Sequence, residues 1–170
     1  MGIVHRLLLL RHAKSSWDQP ELADHDRPLA PRGRRAAAAL TEHLQRLDEP
    51  PQLVLCSSAA RTVETLQRVR EALPALTSVQ VEEGLYAADF DELLDYVQRM
   101  PSSVACAMLI GHNPGIGDLA VTLAGHGDPV ARAAMAARFP TAALAHLTID
   151  EQWSAVEPGV ATLEEFWTPR

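Results

Sequence analysis

The sequence predicts an α/β fold, a three-layer α/β/α sandwich built on a mainly parallel sheet. Short apolar runs typical of buried strands alternate with longer stretches typical of helices through most of the 170 residues. This alternation implies parallel strands whose connecting helices cover both faces of the sheet. With 47% hydrophobic residues and no linker, repeat or low-complexity tract, the chain is predicted to form a single domain over residues 1–170.

Six strands are predicted, over residues 3–10, 52–58, 79–82, 104–110, 143–149 and 160–167. The first, second and fourth of these are nearly continuous apolar runs, which are typical of strands buried on both faces. The last two alternate apolar and polar side chains, which is typical of half-exposed or edge strands. The sequence therefore places three central strands in the first two thirds of the chain.

Four helices are predicted, over residues 31–47, 59–73, 89–100 and 115–124. The first contains Ala36–Ala39, a run of the residue with the highest helix propensity. Three arginines near its start, Arg32, Arg34 and Arg35, are predicted to form a solvated face. Pro114 suits the first turn of the last helix, because its missing N–H would have no partner there in any case.

Charge and composition exclude several classes of function. The net charge of −7 argues against a nucleic-acid-binding surface, so any positive potential must be local to a pocket. The first apolar run is short and lacks a cleavage site, so it is predicted to be a strand and not a signal peptide. No segment approaches the ~18 apolar residues that a membrane helix needs. Because Cys56 and Cys106 give neither a disulfide framework nor a zinc spacing, we expect a reduced, cytoplasmic protein.

Basic residues follow three of the predicted strands at the point where each strand ends. Arg11 and His12 come directly after the first strand, and Ser15 lies three positions beyond His12. Arg61 falls in the first turn of the helix after the second strand, and His112 follows the strand over 104–110. Because parallel strands bring their carboxyl ends to one edge of the sheet, these side chains are expected to converge. Free N–H groups at the helix starts would add to a pocket for an anion.

These residue types point to phosphoryl transfer. A neutral histidine is a nucleophile, and His12 would need one free ring nitrogen and an N–H held by a backbone carbonyl. Guanidinium groups match phosphate oxygens in pairs and neutralise the charge that develops on them. Ser15 either donates its hydroxyl to the phosphate or caps nearby backbone N–H groups.

Four segments, in this order, resemble the histidine phosphatase (phosphoglycerate-mutase-like) superfamily and its small SixA-type phosphohistidine phosphatases: Leu8–Ser15, Asp26–Gly33, Ser57–Thr65 and Gly111–Gly115. The resemblance implies a histidine-phosphatase-like sandwich in which His12 is the phosphorylated nucleophile. It implies that the phosphoryl group is bound by Arg11, Arg61 and His112. It also implies that the reaction uses no metal ion, and no cofactor is predicted.

Two places depart from the family pattern. Larger relatives carry a glutamate as general acid in a block to which Glu82–Asp89 does not align, so the proton donor stays unassigned. Ala30 stands where a serine or threonine would cap the helix that follows. An imidazole leaving group needs less protonation than a sugar alkoxide, so the missing acid favours phosphohistidine as substrate.

The sequence thus predicts a metal-independent phosphatase that acts on a phosphorylated protein. A small-metabolite phosphomonoesterase is one alternative, and an inactive phosphate-binding module of the same fold is the other. The intact His12 argues against the inactive module, since a binder has no need of a nucleophile. Arg27 either ties its loop to the sheet or contacts the substrate. Structural roles are expected for His5, His43 and His146.

Overall fold

The structure is a computed structural model that describes residues 2–170. Its seven strands are β1 (His5–Arg11), β2 (Leu53–Ser57), β3 (Ser78–Glu82), β4 (Cys106–Gly111), β5 (Ala124–Gly127), β6 (Leu144–Ile149) and β7 (Ala161–Trp167). Its five α-helices are α1 (Pro31–Leu44), α2 (Ala60–Val69), α3 (Phe90–Gln98), α4 (Gly115–Leu123) and α5 (Pro129–Ala137). Short 3₁₀ turns lie at Asp24–Asp26, Arg70–Ala72, Glu83–Leu85 and Trp153–Ala155.

All seven strands form one sheet in the order β3-β2-β4-β1-β6-β7-β5. Every neighbouring pair is parallel except the two that involve β6, which runs antiparallel to both β1 and β7. The predicted mainly parallel α/β sandwich is therefore confirmed. In the β1–β4 register, Arg11 lies opposite Gly111, so the residues that follow these strands start side by side.

The central strands bury side chains on both faces. On one face, Leu7 and Leu9 of β1 belong to a core that includes residues of α3 and α4. On the other face, Leu8 and Leu10 belong to a core with residues of α1 and α2. Period-two alternation sends successive leucines to opposite faces, which is why a continuous apolar run produces a layer covered on both sides.

The structure corrects one interpretation of the last two strands. The alternation predicts half-exposed or edge strands, and β7 is half-exposed. Neither is an edge strand, because β6 lies between β1 and β7, and β7 lies between β6 and β5. The edge on that side is formed by β5, whose four residues Ala-Gly-His-Gly carry no strand pattern. Its place is fixed by parallel pairing with β7 and not by local propensity.

Helix starts match the chemistry of their sequences. Pro31 opens α1 and its N-cap, Ala30, makes no side-chain cap, as its methyl group dictates. In contrast, Asp89 and Glu92 form a reciprocal capping box at the start of α3. Within residues 2–170, no helix combines the length and the hydrophobicity that crossing a membrane requires.

Candidate active site

The ends of β1, β2 and β4 bring three of the predicted residues into direct contact. The rings of His12 and His112 lie 5.2 Å apart between centroids. From the first turn of α2, Nε of Arg61 lies 3.3 Å from Nε2 of His12. Nη1 of Arg11 donates to the carbonyl oxygen of Phe139 at 3.0 Å. The positive charge of Arg11 disfavours protonation of both imidazoles. The cluster is buried at the carboxyl edge of the parallel strands, where such sheets bind ligands.

His12 is held in a tautomer suited to nucleophilic attack. Its Nδ1 donates to its neighbour's carbonyl oxygen, that of Ala13, at 2.7 Å, so Nε2 carries the lone pair. The loop that carries His12 is held by α2, because the N–H of Ala13 donates to Oγ1 of Thr65 at 3.1 Å. Burial lowers the pKa of His12 to about 3, and the charges of neighbouring cationic groups act in the same direction. The ring is therefore neutral throughout the physiological range.

His112 is oriented from the opposite side by β2. Its Nε2 lies 2.7 Å from Oγ of Ser57, a fully buried residue whose hydroxyl also accepts from the N–H of Ala59 at 3.3 Å. Burial lowers the pKa of His112 to about 4, and the charge of Arg61 adds to that shift. Within residues 2–170, Nδ1 of His112 and Nε of Arg11 are buried nitrogens without a hydrogen-bond partner. Buried polar groups of this kind are stabilised by a ligand that supplies the missing partner.

Two further residues complete the cluster, and sequence reasoning missed both. Asp24, in the 3₁₀ turn, accepts from Nη2 of Arg61 at 3.1 Å through Oδ2 and from Nη1 at 2.8 Å through its backbone carbonyl. The hydroxyl of Tyr86 donates to the same Oδ2 at 2.7 Å, and its ring meets that of His112 edge-on at 5.6 Å. The hydrogen bond from Tyr86 lowers the pKa of Asp24, and Arg61 and Arg27 add to that shift. Tyr86 lies in the segment that did not align to the family's acid block.

Ser15 belongs to the network around Arg27. The Ser15 hydroxyl oxygen accepts from Nη2 of Arg27, whose Nε donates to the carbonyl of Ser16 at 3.1 Å. Nη1 of Arg27 reaches Oδ1 of Asp24 at 2.9 Å, and its guanidinium stacks 3.2 Å from the ring centroid of Trp17. Arg27 thus has a structural role, although its partners lie within the loop between β1 and α1 and not in the sheet. The structure places Ser15 in this loop network and not in contact with the two imidazoles.

Two of the remaining histidines, His5 and His43, make their contacts outside the cluster. His5 contacts the carbonyl of Glu151 at 2.9 Å and packs against Trp153. His43 stacks on Trp167 at 5.0 Å. Within the described residues 2–170, no group of three or more His, Cys, Asp or Glu side chains is arranged to hold a metal ion.

Burial of His12 should make the stability of the protein depend on pH. The folded pKa of about 3 lies below the ordinary value of 6.5, so between these values the unfolded chain binds a proton that the folded protein does not. The free energy of unfolding therefore falls as pH drops through this window, and His12 accounts for about 2 to 3 kcal/mol between pH 7 and pH 4.5. We expect urea unfolding at both pH values to show that the free energy of unfolding falls less in His12→Asn than in the wild type. The difference between the two falls should equal that amount. Equal drops in the two proteins would contradict the shifted pKa.

The comparisons with known proteins agree with this geometry. Residues 7–100 match the model of the histidine phosphatase superfamily (branch 1). An uncharacterised protein of Mycobacterium tuberculosis is 36% identical over 163 residues, which span 95% of this chain and 100% of its own length. The chain belongs to the histidine phosphatase superfamily, and its fold and family support phosphatase activity.

Within the superfamily, the chain is similar to SixA-type proteins. A structure from Nakamurella multipartitia, named as a candidate phosphohistidine phosphatase SixA, has a TM-score of 0.85 at 29% identity and covers 98% of this chain and 96% of its own. A second candidate SixA, from Agrobacterium tumefaciens, has a TM-score of 0.82 at 28% identity, with 97% and 98% covered. The resemblance to SixA-type proteins drawn from the sequence is confirmed.

Proposed function

We propose that this protein is a metal-independent phosphatase that removes the phosphoryl group from phosphohistidine in proteins, through a phosphohistidine intermediate on His12. The observation that carries the proposal is the state of His12. A buried, neutral imidazole has Nδ1 bound to a backbone carbonyl and Nε2 beside a guanidinium group. That arrangement presents a nucleophile next to a group that neutralises the charge of its target.

In the first step, Nε2 of His12 attacks phosphorus and forms a P–N bond. The P–N bond to the substrate's imidazole breaks, and that imidazole takes up one proton from solvent to leave in neutral form. Arg11, Arg61 and the unpartnered Nδ1 of His112 are proposed to bind the equatorial oxygens, whose charge is the main barrier in such a transfer. The fixed rings supply the alignment that in-line displacement requires.

In the second step, water attacks phosphorus on the phosphorylated His12. The P–N bond breaks, inorganic phosphate leaves, and the proton that water loses passes to phosphate or solvent. His12 regains its lone pair at Nε2, while Nδ1 keeps its proton and its hydrogen bond to the carbonyl of Ala13 throughout. The same groups serve both steps, because the phosphoryl group keeps its position while the entering and leaving atoms exchange.

The ionised state of Asp24 favours a labile substrate. The carboxyl group of Asp24 contacts Arg61. The hydrogen bonds that lower the pKa of Asp24 keep this carboxyl group charged. A carboxylate of this kind is a poor proton donor, since general acid catalysis needs a pKa near the working pH. Imidazole leaves with little help, whereas the alkoxide of a sugar phosphate needs a proton.

A substrate panel tests this assignment. We expect kcat/KM for a phosphohistidine peptide to exceed that for sugar phosphates and phosphoglycerates by at least ~100-fold, which is about 3 kcal/mol of differential transition-state binding. Initial rates of phosphate release over the panel give the ratio. A common sugar phosphate in first place would support the metabolite phosphomonoesterase instead. No release from any substrate, a generic aryl phosphate included, would indicate an inactive binding module.

Chelation tests the metal-independence. The proposed pocket holds two guanidinium groups and two imidazoles, and its one carboxylate, Asp24, is bound to Arg61 and Tyr86. Mg²⁺ needs oxygen ligands and a zinc site needs at least three convergent protein ligands, whereas this pocket offers two imidazoles beside two guanidinium charges. Turnover after dialysis against EDTA should match the untreated protein. Loss of activity that a divalent ion restores would contradict the mechanism.

We also propose that the protein acts in the cytoplasm. Cys56 and Cys106 are free and buried in β2 and β4, and burial raises the pKa of each thiol to about 12. Inert buried thiols of this kind suit a reducing compartment.

A further inference from the structure

A cavity of about 750 Å³ lies beside the candidate active site, and its charged lining side chains are all cationic. Its charged lining residues are Lys14, Arg32, Arg35, Arg138 and Arg170. No aspartate or glutamate side chain lines it. A single cavity thus gathers five of the 15 lysines and arginines of a protein whose net charge is −7.

These cations converge from separate elements. Lys14 follows β1, Arg32 and Arg35 lie on α1, and Arg138 follows α5. Within residues 2–170, none of these four side chains forms an ion pair, whereas Arg34 on the same helix pairs with Glu64 at 2.9 Å. The predicted solvated face of α1 is therefore divided. Arg34 is neutralised, while its two neighbours face other unpaired cations across a cavity.

The cavity adjoins the proposed nucleophile. Lys14 is two residues from His12, and the first turn of α1 packs so closely on Lys14 that a Cβ on Gly33 would overlap its carbonyl oxygen. On the far side, Arg138 precedes Phe139, whose carbonyl accepts from Arg11. Burial lowers the pKa of Arg11, and the charge of Arg138 adds to that shift. The cavity and the proposed nucleophile therefore share the loop that follows β1.

The remaining lining suits a peptide. Ala36 and Ala39 of α1 face Phe166 of β7, and Pro140 with Thr141 follows α5. Such walls combine apolar surface with guanidinium groups, which bind carboxylates in pairs of hydrogen bonds. The cations are exposed at the surface, so a segment of another protein can reach them.

We infer that this cavity binds an acidic segment of the substrate protein, with aspartate or glutamate side chains close to the phosphohistidine. The inference rests on the proposed function, because it concerns the protein that carries the phosphoryl group. Unpaired like charges repel one another, and a bound polyanion removes that repulsion. Electrostatic complementarity of this kind chiefly sets which partners are selected and how fast they associate.

Two phosphohistidine peptides provide the test, one with aspartates and glutamates flanking the histidine and one with asparagines and glutamines in their place. At low ionic strength we expect wild-type kcat/KM to be about tenfold higher for the acidic peptide, the scale of a few partly exposed ion pairs. At ~0.5 M salt the ratio should shrink to about twofold because the charges are screened. In Arg32→Gln/Arg35→Gln the low-salt ratio should fall to about twofold.

Arg46→Gln/Arg99→Gln is the matched control. It removes the same charge from exposed positions outside the cavity, so the tenfold preference should persist. Equal loss in both double variants would overturn the inference, since net charge alone would then explain the preference. Equal rates for both peptides in the wild type would overturn it as well, while leaving the phosphohistidine activity intact.

An aryl phosphate and a bisphosphate metabolite separate the remaining outcomes. If the wild type hydrolyses the aryl phosphate but neither peptide, the proposed function fails, and the acidic-segment inference fails with it. If the bisphosphate is hydrolysed best and loses that advantage in Arg32→Gln/Arg35→Gln, the cavity binds a second phosphate. That result would overturn the acidic segment as its occupant.

Discussion

Replacing His12 with alanine is expected to lower kcat/KM by at least ~10⁴-fold for every phosphorylated substrate, the scale on which enzymes lose activity with their nucleophile. The structure gives the reason, because His12 is the imidazole with a backbone-fixed Nδ1 and a lone pair beside Arg61. Wild-type protein quenched in alkali during turnover should carry phosphate on His12, as an acid-labile phosphoramidate. The variant should carry none.

His126→Ala serves as the control for this experiment. His126 is an exposed residue of β5, at the far edge of the sheet, so its loss should leave kcat/KM within about twofold of wild type. Retention of most of the activity in His12→Ala would contradict the proposed nucleophile. So would trapped phosphate that maps to His112 or any other residue.

Arg61→Ala is expected to lower kcat/KM by about 10² to 10³-fold, the range found when a donor to a developing charge is removed. Two effects combine in this variant. The phosphoryl oxygens lose a guanidinium group, and the ionised Asp24 loses one of its two guanidinium partners and then repels the substrate more strongly. Arg61→Lys keeps the charge but lacks the paired donors of a guanidinium group. Its kcat/KM should therefore fall less than that of Arg61→Ala.

A double variant separates the two effects. Arg61→Ala/Asp24→Asn should recover part of the activity lost in Arg61→Ala, because the repelling carboxylate is gone. Arg68→Ala is the matched control on the same helix, since it removes an exposed guanidinium whose contact is Glu64 at 3.3 Å. The role of Arg61 would be wrong if Arg61→Ala and Arg68→Ala gave the same rate.

Much of the fold could be predicted because its signals are local. The apolar runs that became β1, β2 and β4 have the length and composition typical of strands buried on both faces. Parallel pairing then brings Arg11 opposite Gly111, with His12 and His112 one residue beyond. The proximity of those two imidazoles thus follows from strand order and register, without any knowledge of side-chain contacts.

Other features depend on contacts between distant residues. Asp24 and Tyr86 are 62 positions apart in sequence, and neither lies in a segment with a recognisable pattern. The strand β5 is short and glycine-rich, and a Cβ on Gly125 would overlap the carbonyl oxygen of Gly159. That close approach, and the pairing with β7, exist only once the sheet has formed. Periodicity cannot report such tertiary constraints.

The contact between Asp24 and Arg61 has a consequence for product release. The same guanidinium proposed to hold the phosphoryl group already holds a carboxylate of the protein itself. Inorganic phosphate must therefore compete with an internal anion that is tethered nearby and fixed by Tyr86. A tethered competitor acts at high effective concentration, so it weakens product binding without consuming a ligand from solution. In this proposal the carboxylate of Asp24 replaces inorganic phosphate on Arg61 when the product leaves.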